Sequence, residues 1–384
     1  MALGTPLPLL LSTVGDYEID RSLRFNKADD TYLNRTPSSA GTQTKCTVSA
    51  WVKKCNSTTE HNIFSAGNDT NNRATLRFYS DTIYWDARVG GSWVGFLQTT
   101  AKFRDPSAWY HIVARIDTTN GTSNIYVNGV DQTALTNNTK PSGSQNLPFC
   151  DDVVHEIGRR AFDGASTELD GYIAEMHFID GQALDASNFG ETHEDTGAWV
   201  AKKYAGSYGT TGFYLNFSDN SGTTATTLGK DSSGNSNNFT PNNFSVTAGT
   251  GNDSLEDTPT NNFPTLNPIN NPVNSTLAEG NLRMSGTDNF AATTFLLPKS
   301  GKWYVECSKY GDTKTQSVSV TRAGTAMTNY NGYLGLADNV EYVSNGELGN
   351  RTRGDTSDAT AWSSDADALI GIAVDMDNGA VYFA

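Results

Sequence analysis

The chain has 384 residues, 27 Lys and Arg against 42 Asp and Glu, a formal charge of -15 and a pI near 4.7. Such acidity repels phosphate backbones and anionic headgroups, which excludes nucleic acid as a partner class, and no stretch is long and apolar enough for membrane insertion. The length allows two or three domains, while 36 Gly, only 18% charged residues and abundant Asn, Thr and Ser favour short strands with many turns, so the fold class is all-β.

The N-terminus, Met1-Ala-Leu-Gly-Thr-Pro-Leu-Pro-Leu-Leu-Leu-Ser12, lacks a basic leader and a small-residue cleavage site and carries Pro6 and Pro8 in its apolar run. Residues 1–20 read as an extended arm that docks on a neighbouring subunit. Residues 21–217 are dense in strand signals: Cys46, Val48, Ala50 and Val52 alternate with Thr47, Ser49, Trp51 and Lys53, and Tyr110, Ile112, Ala114 and Ile116 with Trp109, His111, Val113 and Arg115. Asn120-Gly121 and Asn128-Gly129 bracket Ile125 and Val127, which predicts an antiparallel meander with tight turns.

Residues 218–282 are rich in Asn, Gly and Pro and poor in apolar side chains, which predicts an extended connector pinned against a domain by Phe239, Phe244 and Phe263. Strands return over 283–384. Trp303, Val305 and Cys307 alternate with Tyr304 and Glu306, then Ile370, Ile372, Val374 and Met376 lead through a turn at Asp377-Asn378-Gly379 to Val381 and Phe383. A sandwich stopping there leaves an apolar edge, so the natural chain is expected to continue past Ala384 or to be covered by another chain. Cys46, Cys55, Cys150 and Cys307 lack C-x-x-C spacing, which argues against a metal cluster. Cys46 and Cys307 read as small buried apolar residues, and a Cys55–Cys150 pairing stays open.

Thr47-Val-Ser-Ala-Trp-Val-Lys53, Trp109-Tyr-His-Ile-Val113, Asn124-Ile-Tyr-Val-Asn-Gly129 and Leu169-Asp-Gly-Tyr-Ile-Ala-Glu-Met-His-Phe178 together resemble the laminin-G-like, concanavalin-type jelly roll. Ser300-Gly-Lys-Trp-Tyr-Val-Glu306, Gly332-Tyr-Leu-Gly-Leu336 and Ile370-Gly-Ile-Ala-Val-Asp-Met-Asp-Asn-Gly379 resemble the start of a SPRY-type sandwich. Asp180-Gly-Gln-Ala-Leu184, Asp231-Ser-Ser-Gly-Asn235 and Asp253-Ser-Leu-Glu-Asp-Thr-Pro-Thr-Asn-Asn-Phe263 are similar to phrases of marine tailed-phage structural proteins. These resemblances imply an antiparallel jelly-roll β-sandwich over 21–217 followed by an incomplete SPRY-like sandwich. They imply a virion structural protein, assembled in the host cytoplasm as a fibre or surface appendage, that serves particle assembly and host-surface glycan attachment. The alternatives are a capsid decoration protein or a stand-alone lectin-like carbohydrate-binding protein, and third a glycoside hydrolase. The implied partners are other virion proteins through the arm, a host glycan, and copies of the chain itself, with a trimer as the fibre expectation.

Tyr84, Trp85, Asp86 and Trp93 stand between Gly-rich turns, and are the candidate glycan site: rings to stack on sugars and a carboxylate to accept hydroxyl hydrogen bonds. Glu168, Asp170 and Glu175 invite comparison with the carboxylates of jelly-roll hydrolases, but strict alternation puts Glu168 and Glu175 on opposite faces, and Gly171 suggests a local break. Asp163 and Asp170 are weak calcium candidates from the jelly-roll resemblance. Asp375, Asp377 and Asn378 are explained as a hairpin turn, and Arg353-Gly354-Asp355 as a loop. No nucleophile–base set, P-loop or dinucleotide fingerprint occurs, so no cofactor and no enzyme activity are expected.

Overall fold

The structure, a computed structural model, describes residues 17–57, 60–160, 162, 167–249, 251–270, 275–286, 291–308, 317–321, 339–343, 347–350, 355–358 and 369–384. Residues 1–16 of the expected docking arm, Asp163, Gly332–Leu336, and Arg353 with Gly354 lie outside the described residues. The described chain divides into two compact units, one built from residues up to Pro268 together with Leu277–Arg283, the other centred on Met284–Ala384.

Alternating apolar residues build the first unit from β1 (Ser22–Phe25), β2 (Tyr32–Arg35), β3 (Lys45–Lys54), β4 (Glu60–Asp69), β5 (Asn72–Tyr79), β6 (Thr82–Val89) and β7 (Ser92–Thr99). There follow β8 (Tyr110–Asp117), β9 (Asn124–Val127), β10 (Val130–Asp131), β11 (Leu135–Thr139), β12 (His155–Ile157) and β13 (Gly171–Asp180). Shorter strands come next: β14 (Gly190–Thr192), β15 (Trp199–Ala201), β16 (Phe213–Leu215), β17 (Thr240–Asn242) and β18 (Ser254–Leu255).

Among the described residues, two eight-stranded sheets result. The first runs β10-β9-β8-β3-β13-β1-β18, with β16 also on β13, and is called the β3 sheet here. The second runs β11-β7-β6-β5-β4-β12-β2-β17 and is called the β6 sheet. Val48, Ala50, Val52, Ile112 and Ile173 of one sheet share a core with Phe64, Leu76, Trp85 and Leu97 of the other, so the two pack face to face as a sandwich. Each large aliphatic or aromatic side chain buried there contributes about 1.5–3 kcal/mol. The Asn128-Gly129 turn joins β9 to β10 with positive φ at both residues (48° and 78°), the geometry that only Asn, Asp and Gly adopt readily. Asn120-Gly121 sits in a longer loop, where Asp117 Oδ1 accepts from Asn120 N (3.0 Å).

The first unit does not stop at Phe217. Phe239 packs against Phe213 (ring centroids 4.7 Å) and Phe244 against Phe25 (5.3 Å), both inside the main core, while β17 extends the β6 sheet and β18 the β3 sheet. Phe263 stays 41% exposed, and its backbone carbonyl accepts from Lys53 Nζ (2.9 Å). The Asp253-to-Phe263 phrase is a strap over the outer side of the β3 sheet. Asp253 pairs with Arg24 (2.9 Å), Asp257 accepts from Lys53 Nζ (2.8 Å) and from Trp109 Nε1 (3.1 Å), and Asn262 Nδ2 donates to Ser107 O (2.9 Å).

All four cysteines are free thiols. The open Cys55–Cys150 pairing is not what the fold brings together: Cys55 packs with Trp51, Trp109 and Tyr172, whereas Cys150 lies in the main core with Cys46.

Beyond β19 (Ser275–Ala278) and β20 (Arg283–Gly286), the second unit holds β21 (Lys302–Ser308), β22 (Ser317–Thr321), β23 (Asn339–Val343), β24 (Glu347–Asn350), β25 (Asp355–Asp358), β26 (Leu369–Asp375) and β27 (Ala380–Phe383). They form two antiparallel sheets, β21-β26-β27 and β22-β23-β24-β25, that share a core of Tyr342, Ile370, Ile372 and Val374. In the β26–β27 hairpin, Asp375 Oδ1 accepts from Asp377 N and Asn378 N (both 3.1 Å), so its carboxylate closes the turn. No described helix is long and apolar enough to cross a membrane.

Candidate functional site

Period-2 alternation decides which face each residue of the β6 sheet serves. Ala74, Leu76 and Phe78 of β5 and Ile83, Trp85 and Ala87 of β6 enter the core. Their neighbours Arg73, Thr75, Arg77 and Tyr79, with Tyr84, Asp86 and Arg88, therefore occupy the outer face, paired as Arg73 with Arg88, Thr75 with Asp86 and Arg77 with Tyr84. A register shift between Ala87 and Arg88 sets Arg88 opposite Trp93, and Phe96 stands opposite Asp86.

Two rows result. The aromatic row runs Tyr79–Tyr84 (5.4 Å), Tyr84–Phe96 (4.7 Å) and Phe96–Trp93 (5.8 Å) across three strands, with Tyr79 41% and Trp93 51% exposed. The charged row centres on Asp86. Its Oδ1 lies 3.0 Å from Arg73 Nη1, and its Oδ2 lies 2.5 Å from Arg77 Nη1 and accepts from Thr75 Oγ1 at 2.9 Å. Arg77 also reaches Glu60 (3.2 Å), as does Arg160 (3.4 Å). The Arg77 guanidinium lies 4.2 Å from the Tyr84 ring centre, and those of Arg73 and Arg88 lie 4.9 and 5.0 Å from that of Trp93, which fixes the rings in place. The chain after β12 crosses one side of this face, where Ser65 Oγ donates to Arg159 O (2.8 Å) and Asn62 Nδ2 to Thr167 O (3.0 Å).

Of the four residues proposed from sequence, the face brings together Tyr84, Asp86 and Trp93. Trp85 is removed from the set: it has no exposed surface and fills the sandwich core, because it is one residue out of phase with its neighbours. Asp86 is also corrected in role. It too has no exposed surface, and both its oxygens are taken by arginines and Thr75, so it anchors the face and cannot serve as a free acceptor for sugar hydroxyls. Burial, with Asp86 nearby, pushes the Tyr84 phenol up to about 12, so it stays neutral. Arg73, Arg77 and Arg88 were not among the candidates, although strand alternation places them on this face. The four-residue spacing of Arg73 and Arg77 and the two-residue spacing of Asp86 and Arg88 already put them on one face.

Asp170 lies just before β13, and burial pushes its carboxyl up to about 6. Asn56 Nδ2 donates to it at 2.6 Å, and among the described residues no group of three or more His, Cys, Asp or Glu could hold a metal ion. Glu168 also precedes β13, so the expected alternation between Glu168 and Glu175 does not apply. The break falls at Glu175 instead. It adopts φ 50° in a bulge between Ala174 and His177, which puts it on the outer side of the β3 sheet while Met176 returns to the core. There Tyr17 and Tyr214 donate to its carboxylate at 3.0 and 2.5 Å, and His177 Nε2 lies 3.4 Å away. These partners are hydroxyls and an imidazole. Glu18 and Asp20 line the same small cavity as Glu175, and a retaining glycosidase sets its two carboxyl groups about 5–5.5 Å apart.

Ser49 and His111 form another suggestive pair, Oγ to Nε2 at 2.9 Å. Trp199 Nε1 donates to His111 Nδ1 (3.0 Å), so the imidazole proton sits on Nε2 and points at the serine. Burial pulls this histidine down to about 3, and the pair is a buried tie with no base facing a nucleophile.

The sandwich with one polar, aromatic-bearing outer face defines the class as a concanavalin-type β-sandwich. A family model for the laminin G branch of the concanavalin A-like lectin/glucanase superfamily matches residues 27–188, so the first unit contains a laminin-G-like jelly roll, to which β1 and β14–β18 are added. No curated protein matches the chain in sequence. Similar solved structures include a candidate carbohydrate binding protein from Bacteroides ovatus (17% identity, 59% of each chain covered, TM-score 0.41). Others are a heptameric pentraxin from Limulus polyphemus (17%, 48% of this chain and 92% of that one, 0.34) and the CBM40 of a Ruminococcus gnavus sialidase (13%, 44% and 92%, 0.32). The chain spans 59% of the length of the first of these, and each is a distant likeness.

Proposed function

We propose that the first unit is a non-catalytic, lectin-like glycan-binding module whose ligand lies on the outer face of the β6 sheet. The observation that carries this reading is the row Tyr79–Tyr84–Phe96–Trp93, with its two end rings exposed beside immobilised guanidinium groups. Fixed aromatic rings offer flat apolar area to sugar rings at little entropic cost, and the neighbouring polar groups orient the hydroxyls. The lectin description of the matching family supports the same reading. A glycan array probed with the whole protein tests it: binding is expected, and Trp93→Ala should lose about tenfold or more in affinity. Unchanged binding by Trp93→Ala would move the site elsewhere.

A second reading, a surface component of a tailed-phage particle, is favoured by the phrases around Asp180, Asp231 and Asp253. In that setting the module would contact a host glycan while the docking arm shortens to residues 1–16, because Tyr17 and Ile19 of the expected 1–20 arm pack on this unit's own β3 sheet. Removing residues 1–16 should then abolish incorporation into particles; unchanged incorporation would count against the role.

A further inference from the structure

The charge of the aromatic-bearing face runs against that of the molecule. The chain carries -15 overall, yet Arg73, Arg77, Arg88 and Arg160 gather on this face against Asp86 and Glu60. Asp86 is shared between Arg73 and Arg77, and Glu60 between Arg77 and Arg160, so these two carboxylates serve three guanidinium groups and Arg88 draws on neither. Arg88 donates to the backbone carbonyls of Thr70 (3.1 Å) and Gly91 (2.6 Å), which carry no compensating charge. Arg73 Nε and Arg88 Nε are buried without a hydrogen-bond partner. Both of these guanidinium groups lie about one ring's width from the half-exposed Trp93.

Resting on the glycan-binding reading, we infer that this face takes an acidic glycan, whose carboxylate or sulfate group pairs with Arg73 and Arg88 beside the Trp93 ring. A neutral sugar laid across the face would strip water from excess positive charge and return nothing for it. An anionic group compensates that charge, and the planar guanidinium forks match the paired oxygens of a carboxylate or sulfate. The acidity of the rest of the chain repels such a polymer everywhere else, so the arginine face also sets where it can dock.

Calorimetric titration of the whole protein with two matched pairs tests this: dextran sulfate against dextran, and polygalacturonate against its methyl ester. At least one acidic member should bind about tenfold tighter than its neutral partner and weaken as NaCl rises from about 50 to 300 mM. A preference for dextran sulfate alone assigns the sulfate, and one for polygalacturonate alone the carboxylate. Arg88→Gln should shrink the acidic-to-neutral ratio to about twofold or less, and Arg88→Lys should restore part of it, with unchanged unfolding transitions showing that both variants fold. Equal binding within both pairs, or a ratio untouched by Arg88→Gln, would overturn the acidic ligand while leaving a glycan face standing. Absence of binding to every polymer here and to the array would overturn both.

Discussion

At the scale of single residues, the outer face of the β3 sheet shows how this chain handles charge it has buried. Lys53 is 1% exposed and gives its three ammonium contacts to Asp257 Oδ2 (2.8 Å), Asn262 Oδ1 (2.9 Å) and Phe263 O (2.9 Å), all on the strap. Removing one partner of a buried pair strands the other, which is costlier than the pair is worth. Lys53→Met should therefore cost about 3–5 kcal/mol in urea unfolding, because Asp257 keeps only Trp109 and a backbone amide as partners. A cost below about 1 kcal/mol would mean that the strap is not held through this contact. The alternation of β3 makes Lys53 an outward residue, and outward on an uncovered sheet means solvated. Only the strap, some 200 residues later, turns it inward.

At the scale of elements, strands with strong alternation were legible and those built on isolated anchors were less so. Cys46-to-Val52 and Tyr110-to-Ile116 bury the residues their spacing predicts. Residues 218–268 carry too few apolar side chains to reveal strands, yet two phenylalanines commit the segment to the sandwich. Phe239 has no exposed surface and packs on Phe213. Phe239→Ala should cost about 3–5 kcal/mol, and limited proteolysis should then cut within 218–250 before it cuts the jelly-roll strands. Simultaneous cleavage throughout the unit would show that the segment is no separate layer of stability. The bulge at Glu175 was likewise hidden: nothing in Ala174-Glu175-Met176-His177 marks a left-handed residue, and the hydroxyls that hold its carboxylate come from Tyr17 and Tyr214.

At the scale of the whole molecule, buried imidazoles set the response to acid. Burial pulls His61 and His155 down to about 4 and His111 to about 3, from 6.5 when unfolded. Above pH 6.5 each is neutral in both states. As pH falls below 6.5, the unfolded chain binds protons that the folded one refuses, so stability drains away down to about pH 3. Asp170 opposes this: raised to about 6 from 3.8, it is protonated earlier in the fold and returns some stability between those values. Three groups outweigh one, so the calorimetric Tm should fall steadily from pH 6.5 downward; a constant Tm between pH 6.5 and 4.5 would contradict the assignment.

Truncation probes the extent of the first unit. A chain ending at Arg283 keeps Glu279 on Arg24 (2.9 Å), Gly280 O on the Tyr172 hydroxyl (2.6 Å) and Asn281 Nδ2 on Cys55 O (2.5 Å), whereas one ending at Pro268 loses all three. The longer form should unfold cooperatively with a clearly higher Tm, and equal values would show that these contacts add nothing.

The amino-acid order by itself determined the all-β class, the phase of the long strands and the Asn-Gly turn after β9, because these depend on local backbone preference and every-other-residue burial. Grouping Trp85 with Tyr84 and Asp86 in one candidate site ran against that same alternation, and the fold corrected it. Only the tertiary structure decided that Asp86 is consumed by two arginines, that Arg88 stands beside Trp93, and that the strap buries Lys53 and Arg24. Those outcomes depend on pairing between distant segments, and a charge is solvated or compensated according to what lies over it, which spacing along one strand does not encode.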